Sequence, residues 1–306
     1  MKTFFTRGIK LAIITAVISG FAVFFNKFAV TKNINPYQFT ALKNVLVAVV
    51  LSLMVMTPFI FKKFKDISRK NWIRLIGIGV IGGSIPFLLF FKGLSMTSAV
   101  NAGFLHKTLF IWVTILAVIF LKEKITKMQY VALGVLFIGN ILVGGLTSFK
   151  FGYAEMIILM ATLLWSIENI IAKKVLREID PKIVAWSRMF FGSIILLIFI
   201  MFTSGIEGIF SLDMTQWGWI LLSVGFLTAY VITWYHALKF EKASTVVSIL
   251  VIASPITTLL NTFYKGSILD VKRVIGMLIS LLAIVVFIYF GSKISKASEK
   301  QDVSAV

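Results

Sequence analysis

The chain has 306 residues, of which 59% are hydrophobic and only 14% charged; an ordinary soluble domain is about 45–50% apolar and about 25% charged. A mean hydropathy of +0.97 excludes a soluble globular enzyme and a disordered chain alike, and the absence of cysteine excludes disulfides, thiolate chemistry and cysteine metal sites. A net charge of +19 would point to nucleic acid in a soluble protein, but here the basic residues flank apolar segments and read as topology signals, so no nucleic-acid partner is expected.

A helix needs about 20 apolar residues to cross the hydrocarbon of a bilayer. Ten such stretches follow one another, at 8–30, 36–60, 71–93, 98–121, 126–146, 152–174, 181–203, 215–239, 243–264 and 271–290. They predict an all-α integral membrane protein with ten transmembrane helices. A barrel is excluded, because its strands are about 10 residues long and alternate in polarity. The first stretch is long and lacks a small-x-small cleavage site, so it is expected to remain as a span.

Most of the 31 basic residues fall on one side of this arrangement. That side holds Lys2, Arg7 and Lys10, the run Lys62 to Arg74, then Lys122, Lys124, Lys127, Lys173, Lys174, Arg177, Lys182, Lys239, Lys242, Lys293, Lys296 and Lys300. The other side holds Lys27, Lys32, Lys92, Lys150, Lys265, Lys272 and Arg273. The excess predicts both termini in the cytoplasm; with a prokaryotic host assumed, the expected location is the plasma (inner) membrane. Residues 291–306 are short and polar and are expected to be a disordered cytoplasmic tail.

The two halves resemble each other. Asn35-Pro36 with Lys43 aligns with Asp180-Pro181 and Arg188; Phe91-Lys92-Gly93-Leu94 aligns with Tyr235-His236-Ala237-Leu238; and Lys27 falls opposite Lys173. Each copy holds five spans, 1–147 and 148–290. Five is odd, so the second copy must enter the membrane from the opposite side. Such an inverted repeat is a common transporter architecture, with the solute site near the midplane between the copies.

Ten spans in a five-plus-five repeat resemble the EamA-type members of the drug/metabolite transporter superfamily over about residues 8–290. The resemblance is carried by the Asn/Asp-Pro entries to spans 2 and 7 with a cation seven residues on, the short connection Gly93 to Ala99, Leu121-Lys122-Glu123-Lys124-Ile125 before a span rich in glycine (Gly134, Gly139, Gly144, Gly145), and Trp165-Ser166. It implies transport of small metabolites, often export of amino acids, through a central site lined by spans 1, 3, 4, 6, 8 and 9. The chain departs from the pattern in three places. The tryptophan usual in span 1 is replaced by Ser19 or Gly20, the proline of span 4 by Ile111, and the acid matching Glu123 in the second half by Ser267.

Ionisable side chains inside the hydrocarbon are candidates for function by default. They are Lys43, His106, Lys107, Glu168 and Arg188. Lys107 lies nearest the midplane and is expected to receive a carboxylate of the solute. Glu168 and Arg188 lie at equal depth on consecutive spans, so they are expected to act as an ion pair or, through Glu168, in proton coupling. Lys43 is expected to be an architectural cation that snorkels outward, and His106 to pack between helices. Tyr230 and Trp234, four residues apart on span 8, and Ser254 and Thr258, four apart on span 9, complete the candidate substrate-binding set. The glycines of span 3 and Pro86 allow a bend. No catalytic residue, metal site or cofactor is expected.

With the transport that the resemblance implies, these residues predict a secondary active or exchange transporter working by alternating access on a small polar metabolite, an amino acid or related carboxylate. No phosphate-binding G-x-x-x-x-G-K-[ST] motif is present to use ATP. The expected partners are the small metabolite, the lipid bilayer and, as a candidate coupling ion, the proton; a homodimer is left open. The alternatives are an organic-anion or sugar-phosphate exchanger and, further off, a membrane enzyme acting on a lipid-linked substrate, for which the chain lacks paired carboxylates.

Overall fold

The computed structural model describes residues 6–31, 34–144, 151–203, 205 and 207–304, with side chains through Ser292. Ten helices in it are long and apolar enough to cross a membrane. Spans 1 to 5 are Arg7–Thr31, Pro36–Val55, Arg69–Met96, Ala99–Leu121 and Lys127–Gly144. Spans 6 to 10 are Tyr153–Val175, Pro181–Thr203, Met214–Phe240, Ala243–Tyr264 and Val271–Ser292. Lys2, Lys32, Gly145 and Lys150 lie outside the described residues, as do the side chains of Lys293, Lys296 and Lys300.

Local chemistry sets most span ends. Asn35 Oδ1 accepts a hydrogen bond from Tyr37 N at 2.9 Å, and Pro36 sits where a missing N–H costs nothing. Ser68 and Ser98 cap spans 3 and 4 in the same manner, and Asp213 and Gln216 form a capping box on span 8. One expectation is corrected. Span 2 ends at Val55 rather than near 60, because Pro58 disfavours helical backbone at the residue before it. The last helix is described as far as Ser304.

Three spans are interrupted. Span 3 breaks at Ser84, between Arg69–Gly83 and Ile85–Met96. Pro86 has no N–H to offer the Gly82 carbonyl one turn earlier, and that carbonyl accepts from Trp165 Nε1 at 3.0 Å and Arg188 Nε at 3.2 Å. Gly83 O accepts from Asn44 Nδ2 at 3.2 Å. Span 4 breaks at Thr108 and span 9 at Val251–Ile252. The two breaks fall at equivalent places in the repeat. Pro255 accounts for the second, while span 4 has Ile111 instead and turns at Thr108 through an Ile111 N to Thr108 O bond at 2.9 Å.

The halves interlock, with span 1 on 8, 2 on 7, 3 on 6 and 7, and 5 on 10. The pairs 1–8 and 3–6 exchange under the repeat, whereas 2–7 and 5–10 map onto themselves. This is the contact pattern of two inverted copies about an axis in the membrane plane. Small residues sit where helices cross. Gly83 of span 3 and Gly192 of span 7 touch backbone to backbone, and a side chain on either would collide with the other. Gly139 and Gly276 do the same between spans 5 and 10.

The two membrane faces are held differently. On the face carrying Arg7, Glu123 accepts from Ala243 N at 2.7 Å, Ser244 N at 3.2 Å and Ser244 Oγ at 2.6 Å, capping span 9 across the halves. Thr6 donates to Glu241, and Lys63 to Asp180 at 2.7 Å. On the opposite face Phe28 stacks on Trp219 and Tyr264 packs edge-to-face against Phe24 and Phe28, and Thr97 donates to Glu155 at 2.7 Å. Each half also contributes a lysine that binds the carbonyls ending a neighbouring helix. Lys27 donates to Leu94 O at 2.9 Å, and its repeat mate Lys173 donates to Leu238 O and to Glu241 O.

Candidate functional site

Between the halves lies a cavity of about 70 Å³, room for a few waters. Its wall draws Ser19 and Asn26 from span 1, Lys43 from span 2, Phe87, Phe90 and Phe91 from span 3, and His106 from span 4. Spans 6, 7 and 8 add Trp165, Asn169, Arg188, Phe226, Tyr230 and Trp234. It is an aromatic box with two strong cations and no carboxylate in its wall. Spans 1, 3, 4, 6 and 8 line it as the resemblance implies. Span 9 does not, and spans 2 and 7 supply the cations.

Glu168 and Arg188 are brought together. Arg188 Nη1 lies 3.8 Å from Glu168 Oε2, and Tyr235 bridges them, donating to Glu168 Oε1 at 2.6 Å and accepting from Arg188 Nη1 at 3.3 Å. Glu168 is wholly buried behind the wall, against Gly82, where a β-carbon would strike its side chain. The guanidinium is thereby compensated from behind while its residue forms part of the cavity wall.

Lys43 is the repeat mate of Arg188, and its surroundings differ in one respect. It is 1% exposed, so it does not snorkel outward. Its Nζ sits 3.4 Å above the centroid of Phe91, the repeat mate of Tyr235, with Phe39 and Phe87 at 5.0 and 5.3 Å. Each cation therefore reaches the same place on the facing helix. In one half it meets a phenol carrying a carboxylate, in the other a bare ring. The position matching Glu168 in the first half is Ala22, so nothing there neutralises Lys43.

Lys107 is not in the cavity wall. It ends the first segment of broken span 4, where its Nζ donates to Ser19 Oγ at 2.8 Å and lies 3.4 Å from His106 Nδ1. It holds Ser19, which does line the cavity, so its contact with the site is indirect. His106, expected to pack between helices, packs on Phe90 and Trp165 and also lines the cavity. Tyr230 and Trp234 face the cavity together, with rings stacked at 5.7 Å and 11°, and Trp234 Nε1 donates to Asn169 Oδ1 at 2.9 Å. Ser254 and Thr258 are buried outside the wall. Span 9 packs there on span 1, with Thr257 Oγ1 donating to Gly20 O at 2.9 Å and Ile256 filling the space above Gly20.

Asn26, Asn169, Trp165 and Tyr235 were not singled out from the sequence as site residues. For Tyr235 a signal existed: it aligns with Phe91 just as Arg188 aligns with Lys43.

The EamA-like transporter family matches the chain twice, over residues 6–145 and 152–289. An uncharacterized transporter of Bacillus subtilis (strain 168), YyaM, is 26% identical over 78% of this chain and 79% of its own. An uncharacterized transporter of Clostridium kluyveri is 25% identical over 96% of this chain and 94% of its own. Among solved structures, a crystal structure that shares the fold has a TM-score of 0.71 at 13% identity, over 91% of this chain and 98% of that one.

Proposed function

Because the chain belongs to the EamA-like transporter family and is a multi-pass membrane transporter, we propose that it moves a small carboxylate with an apolar or aromatic body through the central cavity by alternating access. The observation that carries this reading is the uncompensated cation Lys43, placed with Arg188 in an aromatic wall that holds no carboxylate. A buried charge is costly unless paired. A solute carboxylate supplies the missing partner, and the rings of Phe87, Phe91, Tyr230 and Trp234 accept its body. Lys107 serves by fixing Ser19.

The cavity is smaller than the roughly 300–1,000 Å³ of small-molecule sites, so solute entry requires the walls to part. Broken spans 3, 4 and 9 and the interlocked inverted halves are suited to such rocking. By the positive-inside bias the face carrying Arg7 is cytoplasmic. Glu168, behind Arg188, is the candidate proton site: its protonation would free the guanidinium for the solute.

An amino acid is the first specific class to test, its ammonium resting on the stacked faces of Tyr230 and Trp234. The convergence of Lys43, Arg188 and His106 favours a second reading, an organic anion with no amine. Proteoliposomes loaded with an unlabelled mixture and offered one labelled compound at a time separate them. The series is an aromatic amino acid, its des-amino acid and its decarboxylated amine. Uptake of either acid but not of the amine supports the reading. Uptake of the amine alone overturns it.

A further inference from the structure

A second concavity lies at the edge of the membrane, on the face carrying Arg7. It measures about 360 Å³ and is lined by the ends of spans 3, 4 and 6. Five cations face it, Lys70, Arg74, Lys122, Lys174 and Arg177, against the single carboxylate of Glu178. That carboxylate is already engaged, accepting from Asn71 Nδ2 at 2.6 Å, while Arg74 Nη1 donates to Asn71 Oδ1 at 3.2 Å. The cations have no comparable partner in the wall, and like charges gathered in one concavity repel unless an anion sits among them.

Position narrows the identity of that anion. The lining residues fall within a few positions of the last or first residues of their spans, at the level where lipid headgroups lie. Phe120, 55% exposed, and Leu121 form its apolar lip, and Lys174 Nζ stands 5.8 Å from the Phe120 ring. The backbone is shaped for this place too. Span 4 widens into a π-turn over Ala117–Leu121 and ends with Lys122 at a φ of 57°, in the left-handed region that non-glycine residues seldom enter. Ringed by charge and open on an apolar lip, the concavity suits a group that is phosphate at one end and acyl chain at the other.

We propose that this concavity is a binding site for the phosphodiester headgroup of an anionic phospholipid. Basic pockets between membrane helices hold such headgroups by charge and by hydrogen bonds from Arg. The lipid would bridge spans 3 and 4 of the first half to span 6 of the second, three spans that also line the central cavity, and so brace the halves on this face.

Native mass spectrometry of the purified protein tests it, with phosphatidylglycerol, phosphatidylcholine or inorganic phosphate added in separate arms. Lys70 and Arg177 are exposed, so Lys70→Gln with Arg177→Gln should leave folding intact, confirmed by an unchanged melting temperature without lipid. Lys62→Gln with Lys65→Gln removes equal charge from the same face outside the pocket. The expected result is retained phosphatidylglycerol adducts on the wild type and on the Lys62/Lys65 variant, with a loss of roughly tenfold or more in the Lys70/Arg177 variant, and little phosphatidylcholine on any. Equal loss in both variants overturns the proposal in favour of a diffuse surface field. Adducts of free phosphate with none of phosphatidylglycerol overturn it in favour of a soluble anion. The readout is binding, so it is independent of what the central cavity carries.

Discussion

Lys43 and Arg188 occupy equivalent places, yet their replacement should have opposite consequences. Lys43→Met keeps the length and apolar stem of the side chain. It forfeits a cation–π contact worth about 0.5–2 kcal/mol and removes a buried charge whose desolvation costs several kcal/mol. Since no carboxylate answers Lys43, the folded protein should melt at or above the wild-type temperature. Arg188→Met instead strands Glu168, wholly buried, with Tyr235 alone. Breaking a buried pair from one side costs about 3–5 kcal/mol, or roughly 5–10 °C in melting temperature for a chain this large. Transport should not follow stability. A charged hydrogen bond to a solute carboxylate is worth about 1.5–3 kcal/mol, so Lys43→Met should lose about 10- to 150-fold in apparent affinity. Thermal unfolding of the purified variants and exchange in proteoliposomes provide the two readings. A Lys43→Met protein that melts as low as Arg188→Met, or that exchanges solute normally, would refute the assignment of Lys43 as the uncompensated cation of the site.

Gly83→Val should abolish folded yield, measured by size-exclusion chromatography, because any side chain there collides with the Arg188 backbone; Gly134→Val, in open space, should be tolerated. Burial pushes the Asp180 carboxyl up, but hydrogen bonds from Lys63 and from the Lys182 N–H, with the charges of Lys63 and Lys239, push it further down, to below its ordinary value. Its stabilisation is therefore complete above an unfolded value of about 3.9 and is lost as pH falls through the lower folded one. Asp180→Asn should lose it at neutral pH and flatten the acid limb of a melting-temperature profile, by no more than about 1 kcal/mol because Lys63 is 39% exposed. Lys173→Met frees the end of span 8 and should raise thiol labelling of a cysteine placed at Ser244, while Lys27→Met should not. The chain has no cysteine of its own to confuse the count.

The ten spans were legible because the thickness of the bilayer leaves little freedom in their length, and proline and capping residues set their ends. The inverted repeat was legible from the cations at 43 and 188. The break in span 3 was foreshadowed by Pro86, but that in span 4 carries no proline and depends on how Thr108 turns inside the assembled protein. The site was half legible. Depth along a helix identified Glu168 with Arg188, and a four-residue spacing identified Tyr230 with Trp234. Depth could not say which way a side chain points. Lys107, nearest the midplane, turns to Ser19, whereas Lys43, nearer the edge, turns inward over Phe91.

The two membrane faces are held together by different forces, and on the alternating-access reading proposed above these act as two separate physical controls. Contacts on the face carrying Arg7 are polar: Glu123 and Glu241 accept hydrogen bonds from backbone N–H and hydroxyl groups, and Asp180 pairs with the part-exposed Lys63, a contact that salt screens. The opposite face is held mainly by packed aromatic rings, whose association weakens on cooling and carries no charge for salt to screen. Ionic strength and temperature therefore act on opposite ends of the same passage. On the alternating-access reading proposed above, a flux limited at one mouth in dilute, warm buffer should become limited at the other as salt or temperature is changed, so which mouth sets the rate depends on the medium as well as on the sequence.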